Sequence, residues 1–508
     1  MPVARHTNLR ETYADLAATV IPIVLIVYLG LTNGGFDPVS RSVVGIAVWW
    51  IVLVGTAVNL LPAAGRTTAG RILFGVAAAF AAWTAIAFAW TDSDERTATE
   101  LAQVSTYLGI FALALAADGA GRWRQVLNGV TAGIVIVCGI AVLSRMRPAW
   151  FPEQIAGAYL QEIEIESRLA YPINYSSALG AFAAIGLPLA LAATSSARTI
   201  AGRAAAAGVL PLVALTLWLT TSSLSVPAAV IALATFLLLA PDRLPKLATL
   251  VVAAAGSAIL FLATESRDAF DRGLPTPAAE SQGGEMLVIT LLVCAAVAGA
   301  QAGMSLLTRR ASRPDWLRIS RRNSAIATAV AVIVAFGVGL ALGGAGKLGD
   351  EWEQFKSRGA GVDPGEGSRG QEILDFSGSG RYDFWESAVD ANSTEPLLGI
   401  GPGTWDFWWL ENGSYSAYVR DAHSLYLETL AELGIVGLIL IAGLSGGVLL
   451  IGAGRAVRAP PESRLAIAAA TAGCAAFVAG ATVDWIWELG VLPAAFFALA
   501  AIACGARE

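Results

Sequence analysis

Fourteen apolar runs divide the sequence, at 14–32, 42–61, 70–90, 98–117, 124–143, 175–193, 204–221, 225–240, 247–264, 286–307, 324–343, 423–451, 465–483 and 488–505. A helix needs about 20 predominantly apolar residues to cross the hydrocarbon core of a bilayer, and most of these runs meet that length. Only 14% of the 508 residues are charged, where soluble domains carry about 25%. The fold class this dictates is all-α, a polytopic transmembrane bundle of about 14 helices (12 to 14). The first run lacks the flanks of a cleaved signal peptide and reads as a retained helix. Abundant Ala, Gly and Val suit close helix packing in lipid.

Charge sets the expected orientation. With the N-terminus in the cytoplasm, the inner segments hold 20 of the 33 Lys and Arg but 7 of the 39 Asp and Glu. Six of the basic residues, Arg309, Arg310, Arg313, Arg318, Arg321 and Arg322, share one inner loop. Lys and Arg favour the cytoplasmic side, so both termini are expected there. The chain then divides into N-terminal spans (1–343), a large extracytoplasmic loop (344–422) and C-terminal spans (423–508). A second outer segment, 144–174, carries Glu162, Glu164, Glu166 and Arg168. The large loop holds 12 aromatic residues, nearly twice the density of the whole chain, which argues against plain disorder.

Cys138, Cys294, Cys474 and Cys504 all fall in apolar runs without metal or redox spacing, so they read as small buried residues and no disulfide is expected. His6 and His423 are the only histidines. Zinc would want three or four convergent ligands, so no metal site and no cofactor are expected, nor is nucleic acid a partner.

His423 lies where the large loop gives way to an apolar run, in "RDAHSLYLETLAELGIVGL" (420–438). Asp421 is a suitable N-cap, which would put His423 in the first helical turn, with Tyr426 nearly on its face. The positive helix end disfavours imidazolium, and a neutral imidazole is a competent general base. The plain alternative is a histidine that decorates an interface. Upstream, "GSGRYDFWESAVDANSTEPLLGIGPGTW" (377–405) suggests a short amphipathic helix over 381–391. Arg381 and Trp385 lie four residues apart. They are either a surface cation–π pair or a guanidinium steadied on an aromatic and aimed at a phosphate. "GIGPG" (399–403) lacks the strand and helix of a phosphate loop and reads as a tight turn. Arg168 precedes a span in "ESRLAYPINYSSALGAFAAIGLPLALA" (166–192) and is otherwise an ordinary interfacial arginine.

Together these stretches resemble the O-antigen ligase and polymerase family of bacterial membrane glycosyltransferases. The resemblance rests on "RYDFW" with "EPLLGIGPGTW", on "DAHSLYLETLAELGIVGL", and on "RLAYPINYSSALGAFAAIGLPLALA". It implies transfer of a glycan from an undecaprenyl-pyrophosphate carrier, a lipid-linked donor in the bilayer, to an acceptor that stays open, without metal or nucleotide. His423 matches the histidine that activates the acceptor hydroxyl. Arg381 matches an arginine for the carrier pyrophosphate, and Arg168 matches a further basic position. Asp421, Trp385, Tyr426 and Trp405 would support the site or bind glycan. Two departures stand out. Family members often carry Ser-Arg-Gly after a middle helix where this chain reads "TTSSLSVP" (220–227), and fourteen spans exceed the usual twelve. The rival reading is a transporter or flippase of lipid-linked glycans. Transporters commonly keep ionisable residues near the bilayer midplane, whereas the spans here look almost free of charge.

Overall fold

The computed structural model describes residues 9–58, 61, 67–151, 168–273, 276–310, 353, 355, 356, 378 and 380–505. Among them, eleven helices are long and apolar enough to cross a membrane: Glu11–Leu31, Pro38–Ala57, Thr68–Ala89, Asp94–Gly119, Trp123–Met146, Ser176–Ser196, Ile200–Leu219, Arg243–Glu265, Pro277–Leu307, Leu425–Arg458 and Pro461–Val483. Two shorter apolar helices, Ser225–Leu239 and Val491–Gly505, complete the set. No strand occurs among the described residues. The chain is thus an all-α, multi-pass membrane protein, and thirteen of the fourteen expected spans have a helical counterpart. The span expected over 324–343 lies outside the described residues, as do Glu162, Glu164, Glu166, His6, Trp352, Phe376 and the boundary at 343.

Short polar side chains start several of these helices. Asp37 accepts the Ser40 N–H at 2.9 Å, with Pro38 at the first helical position. Thr67, Ser93 and Thr199 accept in the same way from Gly70, Arg96 and Gly202. Each satisfies a backbone donor that the helix cannot.

Ser176–Ser196 and Pro461–Val483 form the centre, with 83% and 78% of their apolar windows buried, against 17% for Glu11–Leu31. Both are rich in Ala and carry Gly, which let backbones approach closely where lipid supplies no hydrophobic drive between helices. Val43, Ile46, Leu53, Val251, Leu262 and Leu292 stand exposed on outer helices, as a lipid-facing surface requires.

The two short helices shape the site. At 15 residues each they reach about 22 Å, less than the hydrocarbon thickness of about 30 Å. One is preceded by non-helical residues 220–224 and the other by 484–490. Irregular backbone is tolerated at membrane depth only where protein or a cavity surrounds it. Accordingly Thr220, Thr221 and Ser222 in the first segment, and Asp484, Ile486, Trp487, Glu488 and Leu489 in the second, are buried.

A third interruption corrects the sequence reading. The single span expected over 423–451 is two elements. Leu425–Arg458 breaks at Gly434, whose φ of 65° and ψ of −168° belong to a region essentially reserved for glycine. The Tyr426 hydroxyl reaches Ser445, although 19 residues of continuous helix would separate them by about 28 Å. The Thr429 methyl lies 3.1 Å from where a Cβ on Gly437 would stand. Residues 425–433 therefore fold back as a half-helix against 435–458, and only the latter crosses the bilayer.

The half-helix ends with four carbonyls that have no intrahelical partner, and each finds one elsewhere. Asn392 Nδ2 donates to Leu430 O at 2.9 Å, Ile400 N to Ala431 O at 3.0 Å, Gly401 N to Glu432 O at 2.9 Å and Trp83 Nε1 to Leu433 O at 3.0 Å. The stretch "GIGPG" is thus the clamp of this helix end, consistent with its reading as a turn. A Cβ on Gly434 would stand 2.3 Å from Leu397 O. Gly434→Ala is expected to lose about 1–3 kcal/mol from backbone strain alone, with the clash added. Gly443→Ala, where nothing lies within 4 Å, should be neutral or stabilising. Thermal-stability profiles of the two variants in one detergent test this; equal midpoints would remove the constraint assigned to Gly434.

Candidate active site

The helix Arg381–Thr394 begins after Gly380, which is left-handed at φ 82°. This turn sends Arg381 inward. Its Nε donates to Val483 O at 3.1 Å, its Nη1 approaches Gly378 O at 3.4 Å, and its Nη2 lies 3.5 Å from Asp484 Oδ2. Val483 closes its helix, so the guanidinium satisfies a carbonyl the helix leaves open. The Asp484 carboxylate is gripped from other sides too. The Tyr175 hydroxyl donates to Oδ1 at 2.8 Å and contacts Oδ2 at 3.0 Å, and the Trp485 N–H donates to Oδ1 at 2.9 Å. Asp484 is therefore the hub that joins the start of Ser176–Ser196, the end of Pro461–Val483 and the Arg381 helix. Burial and the Asp484 charge push the Tyr175 hydroxyl well above its usual range, so it remains a donor.

His423 lies beside this hub, packed between the Phe384 ring (5.2 Å between centroids) and the Trp485 ring (6.4 Å). Its Nδ1 is 2.8 Å from Asp421 O. A carbonyl only accepts, so in the neutral ring Nδ1 carries the proton, and Nε2 keeps the lone pair. Burial lowers the pKa of the ring, and the Arg381 charge adds to the effect. Asp484 and the Asp421 carbonyl oppose it, and the net shift is downward from 6.5. The backbone is left-handed at His423, with φ of 55°, a conformation that costs a non-glycine residue of order 1–3 kcal/mol. Trp385 helps hold it, because its indole N–H donates to His423 O at 3.3 Å.

Several expected roles change. The N-cap of the half-helix is Ser424, which accepts the Leu427 N–H at 3.4 Å; Asp421 is not the cap. His423 precedes the helix and does not lie in its first turn, because the left-handed turn at 423 brings Ser424 into the extended cap conformation. Tyr426 consequently does not share a helix face with His423. The Asp421 side chain is buried away from the helix end, where burial and the nearby Glu488 raise its carboxyl well above the usual range; it serves the histidine through its backbone carbonyl. Trp385 does not carry the Arg381 guanidinium, which is turned to Val483 and Asp484; it packs beside Phe355 instead. Trp405 is fully buried, so it supports the site from behind. Its ring stacks on Trp409 and meets Phe384 edge-on, and its backbone N–H donates to Glu432 Oε1 at 3.0 Å. Arg168 is exposed at the end of Ile200–Leu219, held by the Leu169 N–H to Leu219 O at 2.8 Å. Among the described residues no hydrogen bond or ion pair joins it to the Arg381 cluster.

Sequence reading missed Asp484, Tyr175 and a second polar layer behind Trp485. There the Arg41 Nη1 donates to Glu488 O at 3.0 Å and lies 3.7 Å from the Glu488 carboxylate. Gln103 Nε2 donates to Glu488 Oε1 at 3.0 Å and the Tyr107 hydroxyl to Trp487 O at 2.9 Å. Glu100, Glu428, Glu432 and Glu488 line a small cavity of about 30 Å³ there. The spans are thus not empty of charge. Arg41 and Glu100 fall in the first two turns of their helices, at the end facing the site. The available signal was "VDWIWELG" (483–490), two acids in a connection too short to hide them from the neighbouring spans.

Residues 283–442, which include Arg381, Trp385, Trp405, Asp421, His423 and the Gly434 break, match the family model described as O-antigen ligase. No curated protein matches the sequence.

Proposed function

We propose, from the match of residues 283–442 to the O-antigen ligase family model, that the chain transfers a glycan from an undecaprenyl-pyrophosphate carrier to an acceptor hydroxyl at the extracytoplasmic face of the cytoplasmic membrane. The family match and the membrane helices support the coarser statement, a membrane glycosyltransferase of ligase type. The observation that supports the finer one is the placement of an arginine held by Asp484 beside a neutral histidine packed on Trp485, at one end of the bundle.

The chemistry follows from their donors and lone pairs. The acceptor oxygen attacks the anomeric carbon of the donor sugar and its proton passes to His423 Nε2. The bond from that carbon to the carrier phosphate breaks, and undecaprenyl pyrophosphate leaves with the electron pair. Charge grows on the leaving phosphate as the bond lengthens, and a fixed guanidinium stabilises it without reorganising. Val483 O, Gly378 O and Asp484 do not exhaust the five donors of Arg381. Arg168, exposed on the approach, would supply a second positive charge to the pyrophosphate. The deciding experiment is reconstitution with lipid-linked donors and candidate acceptors, reading released undecaprenyl pyrophosphate. Release that requires both acceptor and His423 supports the transferase; movement of an unaltered donor across the bilayer would favour a flippase.

The same proposal puts both termini in the cytoplasm. Ser414 is exposed and donates to Asp383 at 2.9 Å, so Ser414→Cys should react with an impermeant thiol reagent on intact cells. Ser312→Cys, in the basic loop, should not. Reaction at Ser312→Cys with protection at Ser414→Cys would invert the orientation.

A further inference from the structure

The turn over 396–398, "PLL", has no role in the chemistry above, yet it exposes two leucines, Leu397 at 65% and Leu398 at 36%. Its backbone is fixed. Pro396 O accepts the Ile435 N–H at 3.0 Å, and Leu397 O lies against Gly434. The turn therefore sits on the end of the membrane-crossing segment 435–458. That segment presents Ile435 and Ile439 outward, at 38% and 63% exposure. Trp83 of the neighbouring span Thr68–Ala89 donates to Leu433 O, one residue before Gly434, and that span ends with Ile86 and Phe88 exposed. The exposed leucines thus continue the lipid-facing surface of two spans past the helix ends. Apolar side chains at a helix end, flanked by tryptophans, suit the boundary between headgroups and acyl chains.

We propose that Leu397 and Leu398 insert into the lipid leaflet at the site end of the bundle, and that this turn is a bilayer anchor for the half-helix that follows His423. The occupant is lipid, because the leucines extend a surface that already faces lipid and the turn offers no charge to pair with a protein partner. Glu395, exposed at the start of the turn, marks the water side. The anchor bears on the site through Ile400 and Gly401, which follow the turn and hold the last carbonyls of 425–433, the element that begins just after His423.

The test is a nitroxide attached to Leu397→Cys, and separately to Leu398→Cys, in the full chain reconstituted in lipid vesicles. Cys294→Ala removes the one native cysteine that is not buried. Collision with molecular oxygen, which concentrates in lipid, is compared with collision with a water-soluble nickel chelate. The expected result is high oxygen and low nickel accessibility, close to Leu450→Cys on the exposed face of the span and well above the ratio at Tyr418→Cys. Nickel accessibility like that of Tyr418→Cys would place the turn in water and overturn the proposal. Low accessibility to both reagents would mean protein covers it, a second copy included, and would overturn it equally.

Discussion

His423→Ala is expected to lower turnover by about 10²–10⁴-fold, the usual contribution of a general base, and to leave carrier binding nearly intact, because the proposed phosphate contacts fall to Arg381. His423→Gln separates base from positioning group. Glutamine can still reach the Asp421 carbonyl that holds Nδ1 at 2.8 Å, but it cannot take a proton at neutral pH. Wild-type turnover in His423→Gln would end the assignment of the base. The pH profile carries the same information. Burial and the Arg381 charge lower the pKa of the ring, so the base is neutral and competent at pH 7. Activity is lost as pH falls through a value below the ordinary histidine value of about 6.5. Arg381→Lys retains the charge but carries it on a shorter, more mobile side chain as a point donor, so the profile should move little while the rate falls.

Arg381 itself carries the second large effect. Arg381→Ala leaves the Asp484 carboxylate, 3% exposed, without its cation, and breaking a buried pair from one side costs about 3–5 kcal/mol. Loss of activity in that variant would be confounded with unfolding. Arg381→Met combined with Asp484→Asn removes both charges and should recover most of the stability without recovering transfer, because no cation then meets the leaving pyrophosphate. Arg381→Lys should remain folded yet lose much of the activity, since an ammonium cannot serve Val483 O, Asp484 and a phosphate oxygen as a planar fork does. Full transfer by Arg381→Lys would reduce Arg381 to a structural tie.

The membrane helices were legible because length and apolarity alone decide them, and the start of the Arg381 helix was legible from its periodicity. His423 and Arg381 stood out by type and neighbourhood, and the structure brings them to one hub. What the sequence hid is instructive. Gly434 lies in an unbroken apolar run, so nothing local announces a fold-back; the break is imposed by the crossing with Leu397 and the capping from 392–401. Ser424 replaced Asp421 as the cap because one left-handed residue shifted the helix start by three positions. Asp484 and Glu488 looked like loop residues between two spans, and only the shortness of Val491–Gly505 draws them into the bundle. Each miss depends on a contact between segments far apart in sequence, which periodicity does not encode.

The fold-back at Gly434 bears on how the protein is made. During synthesis, residues 425–458 leave the ribosome as one greasy stretch of 34 residues, and insertion machinery reading hydrophobicity has no cue to stop at 434. The half-helix of nine residues reaches only about 14 Å and cannot hold a transmembrane position by itself. Its place is assigned afterwards, when Trp83 from an early span and the 392–401 segment meet its carbonyls. Asp484, which holds Arg381 beside His423, emerges later still. Assembly of the proposed catalytic centre is thereby deferred until nearly the whole chain has entered the membrane, and a truncated product is expected to lack transfer activity.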